Sequence, residues 1–206
     1  MKILVTAFDP FNGESINPAQ EALALLPDAI GEAEIKKLTV PTVFFESVRV
    51  VIEAMALYQP DAVLMLGQAG GREGLTVERV ALNFADADIR DNQGHQPQEE
   101  PIEKTGPAAY FATLPVKKMV SAIRENGLPA QISNTAGTFV CNHLFYSVLH
   151  HISARQLPCK AGFIHLPYLP EQAQKHSPVK PSMPLEKQVK GIIRAVSAII
   201  SEHYLL

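Results

Sequence analysis

Cys141 is the residue whose setting most favours chemistry. It follows a turn at Gly137 and begins Cys141–Ile152, a segment in which apolar residues recur at helical spacing. A thiol at a helix N-terminus lies near the positive end of the macrodipole and near unpaired N–H groups, which favour the thiolate and could form an oxyanion hole. A buried cysteine that serves as a small hydrophobe is the alternative. Cys159 lacks this setting and is interpreted as structural or surface.

A histidine and an acidic residue could complete a nucleophilic site. His165 ends a predicted strand, from which an imidazole base could reach Cys141; a structural or solvated histidine is the alternative. A thiolate–imidazole pair works better with a third group that holds the ring. Glu78 follows a Gly-rich segment and precedes an apolar run, which places its carboxylate near the same crevice. Glu73 competes with it on composition alone.

Short apolar runs and longer helical patterns must position these residues. The predicted strands are Lys2–Phe8, Glu34–Val40, Asp61–Leu66, Gln131–Thr135 and Ala161–Leu166, and the predicted helices are Asn17–Leu26, Phe44–Tyr58, Val116–Glu125, Cys141–Ile152 and Leu185–Tyr204. Strands separated by such helices favour a mainly parallel sheet covered on both faces. Ligands bind outside the carboxyl ends of the strands in such sheets. We therefore expect the segments that follow the strands to converge there.

Two segments interrupt the pattern. Asp86–Pro115 is polar and rich in Pro and Gly, which predicts an excursion or a short hairpin. Leu166–Pro184 contains many prolines and is predicted to be a long loop.

Composition excludes several classes of protein. The 206 residues, 47% hydrophobic and 19% charged, are predicted to form one domain over residues 1–206. A formal net charge of −3 without a basic cluster argues against nucleic-acid binding. No signal peptide or membrane-spanning run is expected, and two cysteines without CxxC spacing fit a reducing cytosol. HExxH, GxGxxG and P-loop patterns are absent, so neither a metal nor a cofactor is predicted.

Four ordered segments carry a more specific signal. They are Thr6–Gly13 with Asn17-Pro18, Gly74–Asn83 continuing to Asp91–Gly94, Ser133–Asn142, and Phe163–Pro167. Together they resemble the pyroglutamyl peptidase I (pyrrolidone-carboxylate peptidase) family of cysteine peptidases. The resemblance implies a single-domain three-layer α/β/α sandwich with a mainly parallel sheet, a cytoplasmic location, no cofactor or metal, and a homotetramer or smaller oligomer.

The resemblance also implies an activity and a site. The activity is removal of an N-terminal 5-oxoproline (pyroglutamyl) residue from peptide substrates through a thioacyl-enzyme, with Cys141, His165 and Glu78 as the catalytic triad. The implied substrate-binding residues are Phe8, Phe11, Asn17, Thr42, Gln68, Ile89, Phe139 and Val140. Apolar walls and a few amide partners suit an uncharged lactam ring. Asp88 stands where the family usually has an active-site arginine, and Arg90 stands where it has proline.

Two other functions fit parts of the sequence. An α/β enzyme that binds nucleosides or phosphate would have activity that depends on phosphate and survives thiol alkylation. A non-catalytic binding protein descended from the peptidase would keep the pocket without turnover. Activity on a pyroglutamyl amide with and without iodoacetamide separates all three.

Overall fold

The computed structural model of the protein describes residues 1–204, which are organised around one seven-stranded sheet. The strand order is β2-β3-β1-β4-β9-β5-β8. The strands of this sheet are β1 (Lys2–Phe8), β2 (Ala29–Ile30), β3 (Ala33–Val40), β4 (Ala62–Gln68), β5 (Leu75–Glu78), β8 (Ala130–Ser133) and β9 (Lys160–Leu166). A separate antiparallel pair consists of β6 (Val80–Leu82) and β7 (Ala109–Phe111).

Helices cover both faces of the sheet and make three layers. Helices α1 (Pro18–Leu25), α3 (Val116–Glu125) and α6 (Leu185–His203) pack on one face, and α2 (Glu46–Tyr58) and α4 (Val140–Ala154) pack on the other. Each layer interface contains its own apolar cluster, because strand residues alternate between the two faces. The predicted α/β/α sandwich with a mainly parallel sheet is confirmed. In the stretch 1–204, no helix is both long and apolar enough to cross a membrane.

The strands and helices predicted from periodicity are present, with ends that differ by a few residues at most. β1 and α3 have the predicted bounds, and Asn17 caps α1 by accepting a hydrogen bond from the Ala19 N–H at 3.0 Å. Two strands of the seven-stranded sheet, β2 and β5, were not predicted. Both are too short, at two and four residues, to show a period.

The direction of β5 and β8 corrects one expectation. β5 is parallel to β8 but antiparallel to β9, so these two strands run opposite to β1, β3, β4 and β9. The carboxyl ends of β5 and β8 therefore do not lie at the edge where β1, β4 and β9 end, although the segment after β8 still brings Cys141 to Gly67, the partner of His165. Glu78 pairs with Phe163 in the middle of β9, so it approaches the site along the sheet and not from a loop at its edge.

The two irregular segments have the predicted character. β6 and β7 pair as Val80 with Phe111 through Leu82 with Ala109, so the 86–108 excursion is closed at its base. The loop after β9 contains one short helix, α5 (Pro170–Ala173).

Asn142 fixes the start of α4 against β6. Its side chain is fully buried, accepts a hydrogen bond from the Leu82 N–H at 2.9 Å, and donates to the carbonyls of Leu82 and Phe84 at 2.9 Å each. The amide thus satisfies three backbone groups of the segment that follows Glu78. Because Cys141 is the preceding residue, this anchor also determines where the thiol lies.

We expect Asn142→Ala to lower the free energy of unfolding by about 3 kcal/mol, because it leaves three backbone groups without a partner. Urea unfolding followed by circular dichroism measures this change. Asn126→Ala is the matched control: it removes a single hydrogen bond, to Ala122 O at 2.9 Å, and should cost about 1 kcal/mol or less. Equal losses in the two variants would contradict the anchoring role.

Candidate active site

Cys141 is the second residue of α4 and is partly exposed. The helix is preceded by Phe139 at the N-cap, which makes no side-chain capping bond. The turn before it contains Gly137 at φ 79°, a left-handed conformation that glycine adopts without strain. Without a capping side chain, the N–H groups of the first turn are free to bind an oxyanion beside the thiol.

The Cys141 sulfur lies over β4 at Gly67. A Cβ atom at position 67 would lie 3.0 Å from Sγ and 2.8 Å from the ring of Phe163, so only glycine leaves room for the thiol. Gly67 pairs directly with His165 on β9, and neighbouring strands are about 4.8 Å apart. The thiol therefore lies over the strand position next to that of the imidazole. The sheet brings together the two residues that sequence analysis selected.

Glu78 meets the other side of the imidazole. Its Oε1 lies 2.8 Å from His165 Nδ1, and both side chains are almost completely buried. On β9, His165 is two residues beyond Phe163, the direct partner of Glu78, so the two side chains share a face of the sheet diagonally. Glu78 Oε1 thus contacts Nδ1, so the Nε2 atom takes no part in this contact. Glu73, the competing carboxylate, is exposed.

Arg72 is the site residue that sequence analysis missed. It lies in the loop between β4 and β5, its Nη1 is 2.6 Å from Glu78 Oε1, and it also donates to Thr76 Oγ1. Its Nη2 donates to the Thr135 carbonyl at 3.5 Å, on the segment that leads to Cys141. Because β5 was not predicted, nothing in the Gly-rich loop before it indicated that the Arg72 side chain lies alongside this strand.

The ionisation states follow from burial and these three charges. Burial raises the pKa of Glu78, but the hydrogen bond and charge of His165, a hydrogen bond from the Ser133 side chain and the charge of Arg72 outweigh it and keep that pKa below its usual value. Burial lowers the pKa of His165; Glu78 opposes this and Arg72 adds to it. Burial and the Glu78 charge raise the pKa of Cys141 to about 12, against Arg72. Burial thus opposes both the thiolate that the helix terminus favours and the imidazolium of His165.

Three of the apolar residues assigned to the pocket belong to the apolar cluster against which Cys141 packs. Phe8, Phe139 and Val140 belong to one cluster with Cys141, and the Phe11 ring is 6.0 Å from that of Phe139. Ile89, the remaining apolar member, is half-buried in the 86–108 excursion.

The polar pocket residues are mostly engaged with the protein. Fully buried Asn17 donates from Nδ2 to the Asp9 carbonyl at 2.9 Å, and buried Thr42 donates from Oγ1 to the same carbonyl at 2.9 Å. Both residues therefore shape the loop after β1. Gln68 Oε1 accepts a hydrogen bond from Gln172 Nε2 at 3.0 Å, which leaves the Gln68 amide with its NH₂ group as the free donor.

The Asp88 and Arg90 positions lie outside the Cys141 charge cluster. Both are exposed, and Arg90 Nη1 donates to the Gly94 carbonyl at 3.5 Å. The cation beside the thiol and the carboxylate is Arg72.

The remaining cysteine and histidines are not part of the cluster. Cys159 is half-buried with Sγ 3.6 Å from the Lys160 carbonyl, and His150 contacts Tyr110. His143 points to another face of α4, where its ring packs edge-on against Phe44 and Phe45 at 5.3 and 4.8 Å. In the described part of the chain, no group of three or more His, Cys, Asp or Glu residues is arranged to hold a metal ion.

A largely buried thiol at a helix N-terminus without a side-chain cap, beside a histidine held by a buried glutamate, defines a candidate cysteine-hydrolase site on an α/β/α sandwich. Comparison with known proteins agrees with this class. A family model described as pyroglutamyl peptidase matches residues 1–202. Pyrrolidone-carboxylate peptidase 1 of Caldanaerobacter subterraneus is 56% identical over 200 residues, which cover 97% of this chain and 98% of that protein. The pyrrolidone-carboxylate peptidase of Streptococcus pyogenes serotype M12 is 54% identical over 97% of this chain and 93% of its own length.

Solved structures give the same result. Pyroglutamyl peptidase I of Bacillus amyloliquefaciens superimposes with a TM-score of 0.93 at 46% identity, covering 97% of each chain. A mutant pyrrolidone carboxyl peptidase of Pyrococcus furiosus superimposes with a TM-score of 0.94 at 40% identity, covering 100% of each chain. This chain belongs to the pyroglutamyl peptidase family, which confirms the resemblance inferred from the four motifs.

We expect His143 to make stability depend on pH. Its ring nitrogens have no hydrogen-bond partner in the described chain, and burial lowers its pKa from 6.5 to about 4. Between these values the unfolded state binds the extra proton, so stability falls as pH falls through this window, by about 3 kcal/mol in total. His143→Leu should remove that part of the loss. Urea unfolding of both proteins from pH 7 to pH 4 tests this, and identical pH dependence would contradict it.

Proposed function

We propose that Cys141, His165 and Glu78 carry out the reaction of this family, removal of an N-terminal 5-oxoproline residue from a peptide. The chain is a cysteine-type hydrolase by its family membership. The single observation that carries the residue assignment is the contact chain of the site: Sγ over Gly67, Gly67 paired with His165, and His165 Nδ1 at 2.8 Å from Glu78 Oε1.

The chemistry begins from neutral groups. His165 takes the Sγ proton as the sulfur of Cys141 attacks the carbonyl carbon that joins 5-oxoproline to the next residue. First-turn N–H groups of α4 stabilise the resulting oxyanion. The imidazolium then protonates the leaving amine, and the peptide departs as the thioacyl-enzyme forms.

Water completes the cycle. Neutral His165 removes a proton from a water molecule that attacks the thioester, and the Cys141 thiol is restored as free 5-oxoproline is released. Glu78 stays ionised throughout, holds Nδ1 and stabilises the transient imidazolium.

Recognition of the lactam rests on apolar walls and few donors. Phe8, Phe11, Phe139, Val140 and Ile89 supply the walls, which suit an uncharged ring better than a free amino terminus. The Gln68 NH₂ group and the backbone beside it pair with the lactam carbonyl. Asn17 and Thr42 contribute by holding the loop that carries Phe11. Proline lacks the carbonyl and would leave this donor unpaired, at a cost of about 1–3 kcal/mol.

Of the two alternatives, neither a phosphate-dependent enzyme nor a non-catalytic binding protein requires the buried Glu78–His165 pair. A pure binding protein would gain nothing from holding a buried carboxylate against the imidazole, since buried charge is costly. The homotetramer, the cytoplasmic location and one domain over residues 1–206 remain predictions from the resemblance and the composition.

We expect Cys141→Ala to lower the release of an amine reporter from a pyroglutamyl amide by about 10³-fold or more, because the nucleophile is lost. Cys159→Ala is the matched control and should keep parental kcat. Iodoacetamide should inactivate the parent and the control alike. Full turnover by Cys141→Ala, or phosphate-dependent activity that survives alkylation, would refute the assignment.

We expect Glu78→Gln to lower kcat by about 10²-fold, less than His165→Ala, because the ring loses its orienting charge and keeps its base. The lost charge also lowers the pKa of His165, so the acid limb of kcat/KM should move to lower pH. Steady-state kinetics from pH 4.5 to pH 8 measure both effects. A Glu78→Gln enzyme with parental kcat and pH profile would mean that another group orients the ring.

A further inference from the structure

The negative charge of Glu78 is not balanced by His165 when that imidazole is neutral. The side chain has no exposure to solvent, and its Oε2 has no hydrogen-bond partner in the described chain. His165, the group it serves, must be neutral when it acts as a base. A buried carboxylate beside a neutral imidazole needs a counter-charge from elsewhere.

Arg72 is placed to supply that charge. Within residues 1–204, it is the only group besides His165 that makes an ion pair with Glu78, and it meets the same oxygen, Oε1, at 2.6 Å. Its guanidinium is anchored on both sides, at Thr76 Oγ1 on the same face of β5 and at the Thr135 carbonyl. Arg72 is permanently charged, because its guanidinium does not lose its proton in proteins.

We propose that Arg72 is a positioning residue of the active site: it supplies the fixed positive charge that holds Glu78 ionised and oriented while His165 is neutral. The proposal rests on the proposed function of Glu78 and His165. The guanidinium and the imidazole share Oε1. The positive charge of Arg72 therefore makes it harder to add a proton to the Glu78–His165 pair. Arg72 thereby sets the pH at which His165 becomes a base.

The charged groups around His165 decide in which direction the loss of Arg72 shifts the acid limb of kcat/KM. The titratable or charged groups that face the ring are Glu78 on β5, Arg72 on the loop before it, and the Cys141 thiol on α4 over the adjacent strand. Removing the cation makes addition of a proton to the Glu78–His165 pair easier, whichever of the two residues holds it. The acid limb of kcat/KM must therefore move to higher pH, opposite to the direction expected for Glu78→Gln.

A purely structural role for Arg72 predicts something else. An arginine that only fastens the loop to Thr135 would affect unfolding or KM but would leave the protonation of the pair unchanged. The pH of the acid limb therefore separates a positioning role from a structural one.

The test compares Arg72→Gln and Arg72→Lys with the parent on a pyroglutamyl amide from pH 4.5 to pH 8. Arg72→Gln should move the acid limb up by about one pH unit, with a tenfold lower kcat/KM below the limb and little change in KM. Arg72→Lys keeps the charge and should stay within about half that shift. Arg49→Gln, which removes one positive charge from an exposed ion pair with Glu46 on α2, is the matched control and should behave like the parent.

A second readout does not depend on turnover. Titration of the His165 ring by NMR in a Cys141→Ala background should show uptake of a proton by the pair at higher pH when Arg72→Gln is added. An unchanged limb and an unchanged titration would overturn the proposal, whatever happens to kcat. Arg72→Met replaces Arg72→Gln if the latter does not fold, and failure of both neutral variants to fold would make Arg72 a folding residue and equally overturn it. A parent without activity on the amide would refute the proposed function alone, since the titration would still test Arg72.

Discussion

The fully buried carboxylate of Glu78 is the constraint on which the rest of the active site depends. A carboxylate without solvent is tolerated only where hydrogen bonds and positive charge replace water. Here His165 and Arg72 meet one oxygen of Glu78, at 2.8 and 2.6 Å. This arrangement requires a strand that brings Glu78 alongside His165 and a loop that brings Arg72 back over that strand. The reversed direction of β5 and the return of the 69–74 loop are the two features of the fold that satisfy it.

The nucleophile is placed by a second, independent set of contacts. α4 begins without a side-chain cap, and buried Asn142 ties its first turn to β6. Gly67 leaves the space that Sγ occupies, on the strand position paired with His165. The thiol, the free N–H groups and the imidazole are therefore held by rigid elements. That order matters because burial disfavours both the thiolate and the imidazolium, so the proton transfer to His165 relies on geometry.

Much of the site could be predicted because local patterns supplied the candidates and the resemblance of four ordered motifs selected among them. The turn at Gly137 before an apolar helix made Cys141 a candidate, and the end of a buried strand made His165 one. Arg72 was missed because its role depends on β5, which is four residues long and carries no readable period. Asn17 was expected to contact the lactam, but its burial and its bonds to Asp9 and Ala19 became visible only once the loop after β1 was placed.

The sequence by itself determined the succession of strands and helices, the layered α/β class, the family and the three residues of the catalytic hypothesis. These follow from periodicity, residue type and motif order, all of which can be read along the chain. Only the tertiary structure decided the direction of β5 and β8, the full burial of Glu78 and its pairing with Arg72. Those depend on hydrogen bonds between strands far apart in the chain, such as the β5–β9 ladder, in which Glu78 faces Phe163. No pattern within either strand specifies which way its partner runs.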